Sequence, residues 1–204
     1  MGSATNNVPH SSSPFPDLTP LRIVISGPGG VGKGTIVAGL MTTDDQLWLS
    51  QSWSTRSARP GEASDAYNFV TTENFDAHVE AGGFLEWVEF LEYRQGTPVP
   101  DAPPGMDVVF EIDVYGGIAI AERYAAAMLL FVDTPSRDEQ RRRLVGRGDP
   151  PEKVDARIER GDLERSLAAD AGYQMLINDD LETTVAEIQG LINVARGDRG
   201  PSGE

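Results

Sequence analysis

The run SGPGGVGKGT, residues 26–35, constrains this chain more than any other stretch. It sits between LRIVISG (21–27), a short β-branched run that reads as a buried strand, and KGTIVAGLMTT, whose Ile36, Val37, Leu40 and Met41 share one helical face. A strand, a glycine-rich turn and a helix in that order make a cradle for phosphate. Glycines let the backbone curl so that several N–H groups face one oxygen-rich ligand, and the helix N-terminus adds partial positive charge. Gly27, Gly32 and Lys33 follow the spacing G-x-x-x-x-G-K, in which the lysine reaches the outer phosphates of a nucleoside triphosphate. The expected loop is Gly27, Pro28, Gly29, Gly30, Val31, Gly32, Lys33, Gly34 and Thr35. The Ser or Thr magnesium ligand of this pattern is replaced by Gly34, with Thr35 one place later. That departure predicts a magnesium ion held mainly through water and substrate phosphates, near Thr35, as suits a cation that keeps its hydration shell.

The rest of the chain alternates strand and helix signals. DVVFEID (107–113) reads as a second buried strand ending in acids. Helix GGIAIAERY, strand AMLLFVD, strand YQMLIN and the amphipathic helix LETTVAEIQGLINVA follow. Ser136 and Glu139 form a capping-box pattern before RRRLVGRG, and PPEKVDARIERGDLERSLAAD reads as a charged helix with proline at its start. Between the first and second strands lie β-type residues at 49–70, a short helix TTENFDAHVE, the strand FLEWVEF and QGTPVPDAPPGM, whose four prolines read as a loop. This order predicts an α/β domain with a parallel sheet covered on both faces.

Composition narrows the partners. The net charge of −15 repels nucleic acid and anionic membranes, so neither is expected as a partner, and any phosphate site must be made locally positive. Arginine supplies most of that charge, since Lys33 and Lys153 are the only lysines among 17 basic residues. The absence of cysteine excludes disulfides, thiolate metal sites and a thiol nucleophile. Residues 1–20, rich in Ser, Pro and Asn, read as a disordered arm without a secretory leader, and 197–204 as a flexible tail. The longest apolar run, Tyr124 to Val132, is too short to span a bilayer, and a cytoplasmic protein is expected.

A second cluster, STRSARPGE, sets Arg56 three residues before Arg59, a spacing that lets two guanidiniums converge on one phosphate. Taken in order, GPGGVGKGT, STRSARPGE, YNFV, FLEW, GTP, FEID, LVGRG and NDDL resemble the guanylate kinases over residues 21 to 195. The resemblance implies a P-loop NTPase core (21–49 and 106–196), a small mixed α/β nucleoside-monophosphate-binding insert (about 50–105) and a helical lid (about 143–165). It also implies transfer of the γ-phosphoryl of ATP to GMP, with Mg2+ as cofactor.

By position, the resemblance assigns Arg56, Arg59 and Tyr67 to the GMP phosphate, and Glu86 to guanine N1–H and the exocyclic amine. Ser52 and Thr97 are assigned to guanine O6, and Glu111 and Asp113 to the acidic strand end beside metal and acceptor. Arg143, Arg147 and Arg157 become catalytic lid arginines, with Arg160 a further lid candidate, and Asn178 lies at the adenine end of ATP. A carboxylate facing two adjacent donors selects guanine over adenine, whose edge reverses that pattern.

The departures cluster on the acceptor side. Gln95 stands where the family has tyrosine, with Tyr93 two residues earlier, on the same face if this stretch is a strand, as a partial substitute. Tyr115 replaces a glutamine, Ala66 an aspartate, and the 98–107 segment is shorter than usual and proline-rich. Two other readings stay open from sequence alone: a related kinase with another phosphorylated acceptor, and a non-catalytic binding module. The oligomeric state is not set by the sequence.

Overall fold

The computed structural model describes residues 20–58, 67–89 and 92–197. The first half runs β1 (Arg22–Ser26), α1 (Lys33–Thr43), β2 (Leu47–Ser50), β3 (Trp53–Ser54), β4 (Asn68–Phe69), α2 (Thr72–Glu80), β5 (Phe84–Glu89) and β6 (Arg94–Pro98). The second runs β7 (Asp107–Glu111), α3 (Val114–Arg123), β8 (Met128–Asp133), α4 (Arg137–Gly146), α5 (Pro151–Asp170), β9 (Gln174–Ile177) and α6 (Leu181–Gly197).

Five parallel strands form the main sheet in the order β2-β7-β1-β8-β9. Alternate residues of each strand face opposite layers. Ile23 and Ile25 of β1, with Val109, Leu130 and Val132, pack against Ile36, Val37 and Leu40 of α1 and Ile188 and Ile192 of α6. Val24, Phe110 and Phe131 face the other way, toward Val114 and Ile120 of α3 and Ala168 of α5. Full burial on both faces explains why these strands read as unbroken apolar runs. The chain leaves β1 with β7 on one side and β8 on the other, so a crevice opens beyond its C-terminal end, where such sheets take ligands.

A second sheet, β4-β3-β6-β5, is mostly antiparallel. An aromatic cluster holds it to α2. Phe75 stacks on Phe84 with ring centroids 4.5 Å apart, and His78 stacks on Trp53 at 4.3 Å. The proline-rich segment differs from its sequence expectation at its start: residues 94–98 are strand β6, paired with β5, and irregular chain begins only at Val99. Gln95, Gly96 and Thr97 keep their backbone donors, and Pro98 falls at the last position of the strand, where a missing N–H is tolerated.

The Ser136 hydroxyl caps α4 by accepting from Glu139 N at 3.1 Å, as its sequence pattern predicts. The Glu139 side chain pairs instead with Arg142 and Arg143, which hold its pKa down at about 2. At the far, N-terminal edge of the sheet, Arg196 of α6 bridges Asp44 and Asp107, each at 2.7 Å. This ties the ends of α1 and α6 to the start of β7. Most of the expected arm and tail, and residues 59–66 with Arg59 and Ala66, lie outside the described residues.

Candidate active site

The turn after β1 is shaped by close approach. Gly27 has φ +150°, and a Cβ there would overlap the Val132 carbonyl oxygen of β8, so only glycine lets the loop leave the sheet at this point. The loop carbonyls are then pinned from outside. Gln140 of α4, fully buried, donates its Nε2 to Gly29 O at 2.9 Å, and Asn178, 5% exposed, donates its Nδ2 to Val31 O at 2.7 Å. Lys33 Nζ donates to the carbonyls of Gly27 and Pro28. Its pKa is lowered by burial, an effect opposed by the carboxylates of Glu111, Glu164 and Asp113.

Glu111 ends β7 paired with Ile25, and both its oxygens lie 3.7 Å from where a Cβ on Gly34 would sit. The first turn of α1 thus lies close to this carboxylate, at a distance where even a Cβ would make only ordinary contact. Burial raises the Glu111 pKa and Lys33 lowers it. Asp113 caps α3 through Gly116 N at 3.0 Å, and its other oxygen accepts from Arg160 at 3.3 Å.

On the second sheet a register shift between Phe84 and Glu86 turns Glu86 to face Thr97 across the β5–β6 ladder. Thr97 Oγ1 donates to Glu86 Oε1 at 2.6 Å, with Thr97 itself 2% exposed. Burial pushes the Glu86 carboxyl up; the Thr97 hydrogen bond opposes this and the Asp113 charge adds to it. Ser52 is buried just before β3 and lines the larger cleft, not the one that holds Glu86. The Arg56 guanidinium lies over the rings of Tyr67 and Phe69, 4.9 and 5.3 Å from their centroids, which orients it on the side of the insert.

The candidate lid arginines divide into three sets by their partners. Arg143 joins the loop to the β9–α6 turn, donating to Val31 O at 3.4 Å and Asn178 O at 2.9 Å. Arg147 and Arg157 donate to a single oxygen, Asp149 Oδ2, at 2.7 and 3.0 Å. Arg160 spans Glu164 and Asp113.

Two clefts result. The larger, about 840 Å3, is lined by the phosphate loop, Thr35, Ser50, Gln51, Ser52, Arg143 and others. The smaller, about 320 Å3, holds Arg56, Glu86, Tyr93, Gln95, Asp113, Arg157 and Arg160. Gly29, Lys33, Tyr67, Glu111 and Arg147 line both. The structure thus gathers Lys33, Tyr67, Glu86, Glu111, Asp113, Arg56, Arg147 and Arg157 around one connected space. Thr97 stands behind Glu86. Asn178 supports the loop by its side chain, whose oxygen also accepts from Thr184 Oγ1 at 3.2 Å.

Sequence reasoning missed Gln140, Asp149, Glu164 and the pair Arg165–Asp133. Arg165 grips both oxygens of Asp133 at 2.6 and 2.7 Å and also donates to Gln140 Oε1 at 2.8 Å. Gln140, Glu164 and Arg165 look like further polar residues of charged helices, and Asp133 and Asp149 like ordinary acids at a strand end and in a turn; only long-range packing shows which of them turn inward.

The comparisons with known proteins agree with this architecture. The family model described as Guanylate kinase matches residues 20–195. The guanylate kinase of Streptomyces coelicolor is 40% identical over 91% of this chain and 98% of its own length. That of Streptomyces kasugaensis is also 40% identical, over 92% and 94%. The crystal structure of guanylate kinase from Anaplasma phagocytophilum superposes with a TM-score of 0.69 at 24% identity, covering 88% of each chain, a likeness of fold. With the profile spanning nearly all of the described residues and relatives aligned over almost their whole length, the chain belongs to the guanylate kinase family.

Proposed function

We propose that this protein transfers the γ-phosphoryl of ATP directly to GMP, and to dGMP, giving ADP and GDP. The observation that carries the reading is the shared wall: Lys33, Glu111, Tyr67, Gly29 and Arg147 line both clefts, so a donor in one and an acceptor in the other meet across it. The larger cleft takes ATP along residues 27–35, with Arg143 and the Asn178 turn at its adenine end. The smaller takes GMP, with the base toward Glu86, which Thr97 backs, and the phosphate toward Arg56, Arg59 and Tyr67; Ser52 lines the larger cleft, and its assignment to guanine O6 rests on the resemblance. Tyr93 lines the same wall as Gln95, which supports a phenol serving where Gln95 removes one. In this reading the insert spans about 50–105 and the lid about 143–165.

The acceptor is already an anionic phosphate oxygen, so no general base is needed. Catalysis is positioning and charge neutralisation. Lys33, Arg147 and Arg157 spread positive charge around the transferred group inside an acidic chain, and a closing lid keeps water from competing. A magnesium ion fits the donor set. Among the described residues no group of three or more His, Asp or Glu side chains could hold a metal, while Glu111 lies against the first turn of α1 and Thr35 faces the larger cleft. Such a site suits an ion carried mainly by phosphates and water, which when bound would neutralise phosphate charge. Among the described residues no helix is long and apolar enough to cross a membrane. The net charge of −15 disfavours nucleic acid and anionic membranes as partners, and ATP and GMP as substrates fit a cytoplasmic enzyme.

The test is ADP release measured with GMP, dGMP, AMP and ribose 5-phosphate as acceptors. Turnover with GMP and dGMP, and little with the others, is the expected result. Equal turnover with AMP or the sugar phosphate would overturn the acceptor assignment. Failure to bind ATP in calorimetry would overturn the enzyme reading altogether.

A further inference from the structure

Arg147 and Arg157 line the smaller cleft, yet they come from different elements, the C-terminal cap of α4 and the second turn of α5. Two guanidiniums on one wall repel each other, and each carries a long flexible side chain. Asp149 stands between them. Its main chain is anchored by donation of its N–H to Leu144 O at 3.2 Å, in the turn that Gly148 opens at φ +86°. Leu144, Val154 and Ile158 pack α4 on α5 beneath it. Its side chain is 15% exposed, against 53% for Arg147 and 30% for Arg157, and one oxygen accepts from both. Asp149 is not among the residues lining either cleft.

We propose that Asp149 is the positioning residue that sets Arg147 and Arg157 together against the transferred phosphoryl group. An acid behind a cationic wall weakens that wall's pull on phosphate, so its contribution is geometric. It cancels the repulsion between the arginines and holds their planes so that further N–H donors of each fork face the cleft. Transition-state charge then meets donors already in place. The inference rests on the phosphoryl-transfer reading above.

The test is steady-state kinetics and thermal unfolding of Asp149→Ala, Asp149→Asn and Asp149→Glu, with Asp149→Ala repeated in an Arg157→Ala background. Asp149→Ala should lower kcat by about 10- to 100-fold with KM for ATP and GMP within about threefold. Asp149→Asn, which keeps an acceptor oxygen, should lose about tenfold or less, and Asp149→Glu should recover part of the rate. In the Arg157→Ala background the same Asp149→Ala change should cost less than about threefold more, because one of the two arginines that Asp149 joins is already gone and no repulsion between them is left to cancel. Full kcat in Asp149→Asn and Asp149→Ala, or equal losses in both backgrounds accompanied only by a lower Tm, overturns the proposal. A wild-type protein without GMP-dependent ADP release removes the parent reading and this one with it. Wild-type turnover together with a fully active Asp149→Ala removes this one alone.

Discussion

Thr97 on β6 donates its hydroxyl to Glu86 Oε1 on β5 at 2.6 Å, from directly paired positions of the ladder. The bond holds a half-buried carboxylate in one rotamer and one plane. A base edge with two adjacent donors needs that plane fixed before it arrives. Thr97→Val keeps the shape and removes the donor. We expect KM for GMP to rise about tenfold, equivalent to about 1.4 kcal/mol, with KM for ATP unchanged. A rise in both constants would place the effect in folding rather than in base recognition.

Glu86 also leaves a mark on stability. Burial raises its pKa in the folded protein. Between the ordinary glutamate value and that raised value, the folded state keeps a proton that the unfolded chain has released. Stability therefore falls as pH rises through this window and is lowest above it. Glu86→Gln escapes that loss. Its Tm advantage over wild type should be smallest near pH 4.5, grow as pH rises, and then level off. Thermal unfolding of both proteins across this range checks the sign; a wild type more stable than the variant at neutral pH contradicts it.

The Gln140–Gly29 hydrogen bond predicts an effect on ATP alone. Gln140→Leu fills the site with a residue of similar length but leaves a buried carbonyl and the inner side of Arg165 without their partner. The cost to stability is about 1–3 kcal/mol. The loosened loop should raise KM for ATP several-fold while KM for GMP stays near wild type. Kinetics with each substrate varied in turn separates the two.

Arg196 is the opposite case, a residue whose loss should harm the fold and spare the chemistry. It bridges Asp44 and Asp107 at the edge of the sheet farthest from the phosphate loop, and its side chain is 21% exposed against 7% and 6% for the acids. Arg196→Met leaves two nearly buried carboxylates without their cation. A loss of about 3 kcal/mol is expected, seen as a lower denaturation midpoint. The kcat of the folded fraction should be unchanged.

Lys33→Ala tests the loop itself. The ammonium group is the only side-chain cation donating to the carbonyls of Gly27 and Pro28, among the described residues. Its removal should cut kcat by at least about 100-fold with little change in Tm. Near wild-type GDP formation would break the assignment.

The local sequence carries the periodic and steric parts of this protein. Apolar runs buried on two faces must be central strands, and the glycines of residues 27–32 free the backbone to curl there, although the Val132 carbonyl that a Cβ at Gly27 would meet is brought up by the fold. These signals are short-range because backbone torsions and side-chain period are properties of neighbours along the chain. Resemblance supplied the identities of Glu86, Thr97 and the arginines, but not their surroundings. Strand β6 was hidden by Pro98 at its end and the three prolines that follow it, since pairing with β5 depends on a partner some ten residues away. Gln140 bracing Gly29, Asp149 joining two arginines, Asn178 turned toward Val31 and Glu164 buried near Lys33 could be decided only by the tertiary structure. A polar side chain on a charged helix has no sequence signature for inside or outside; its role is set when packing removes water and leaves it one partner.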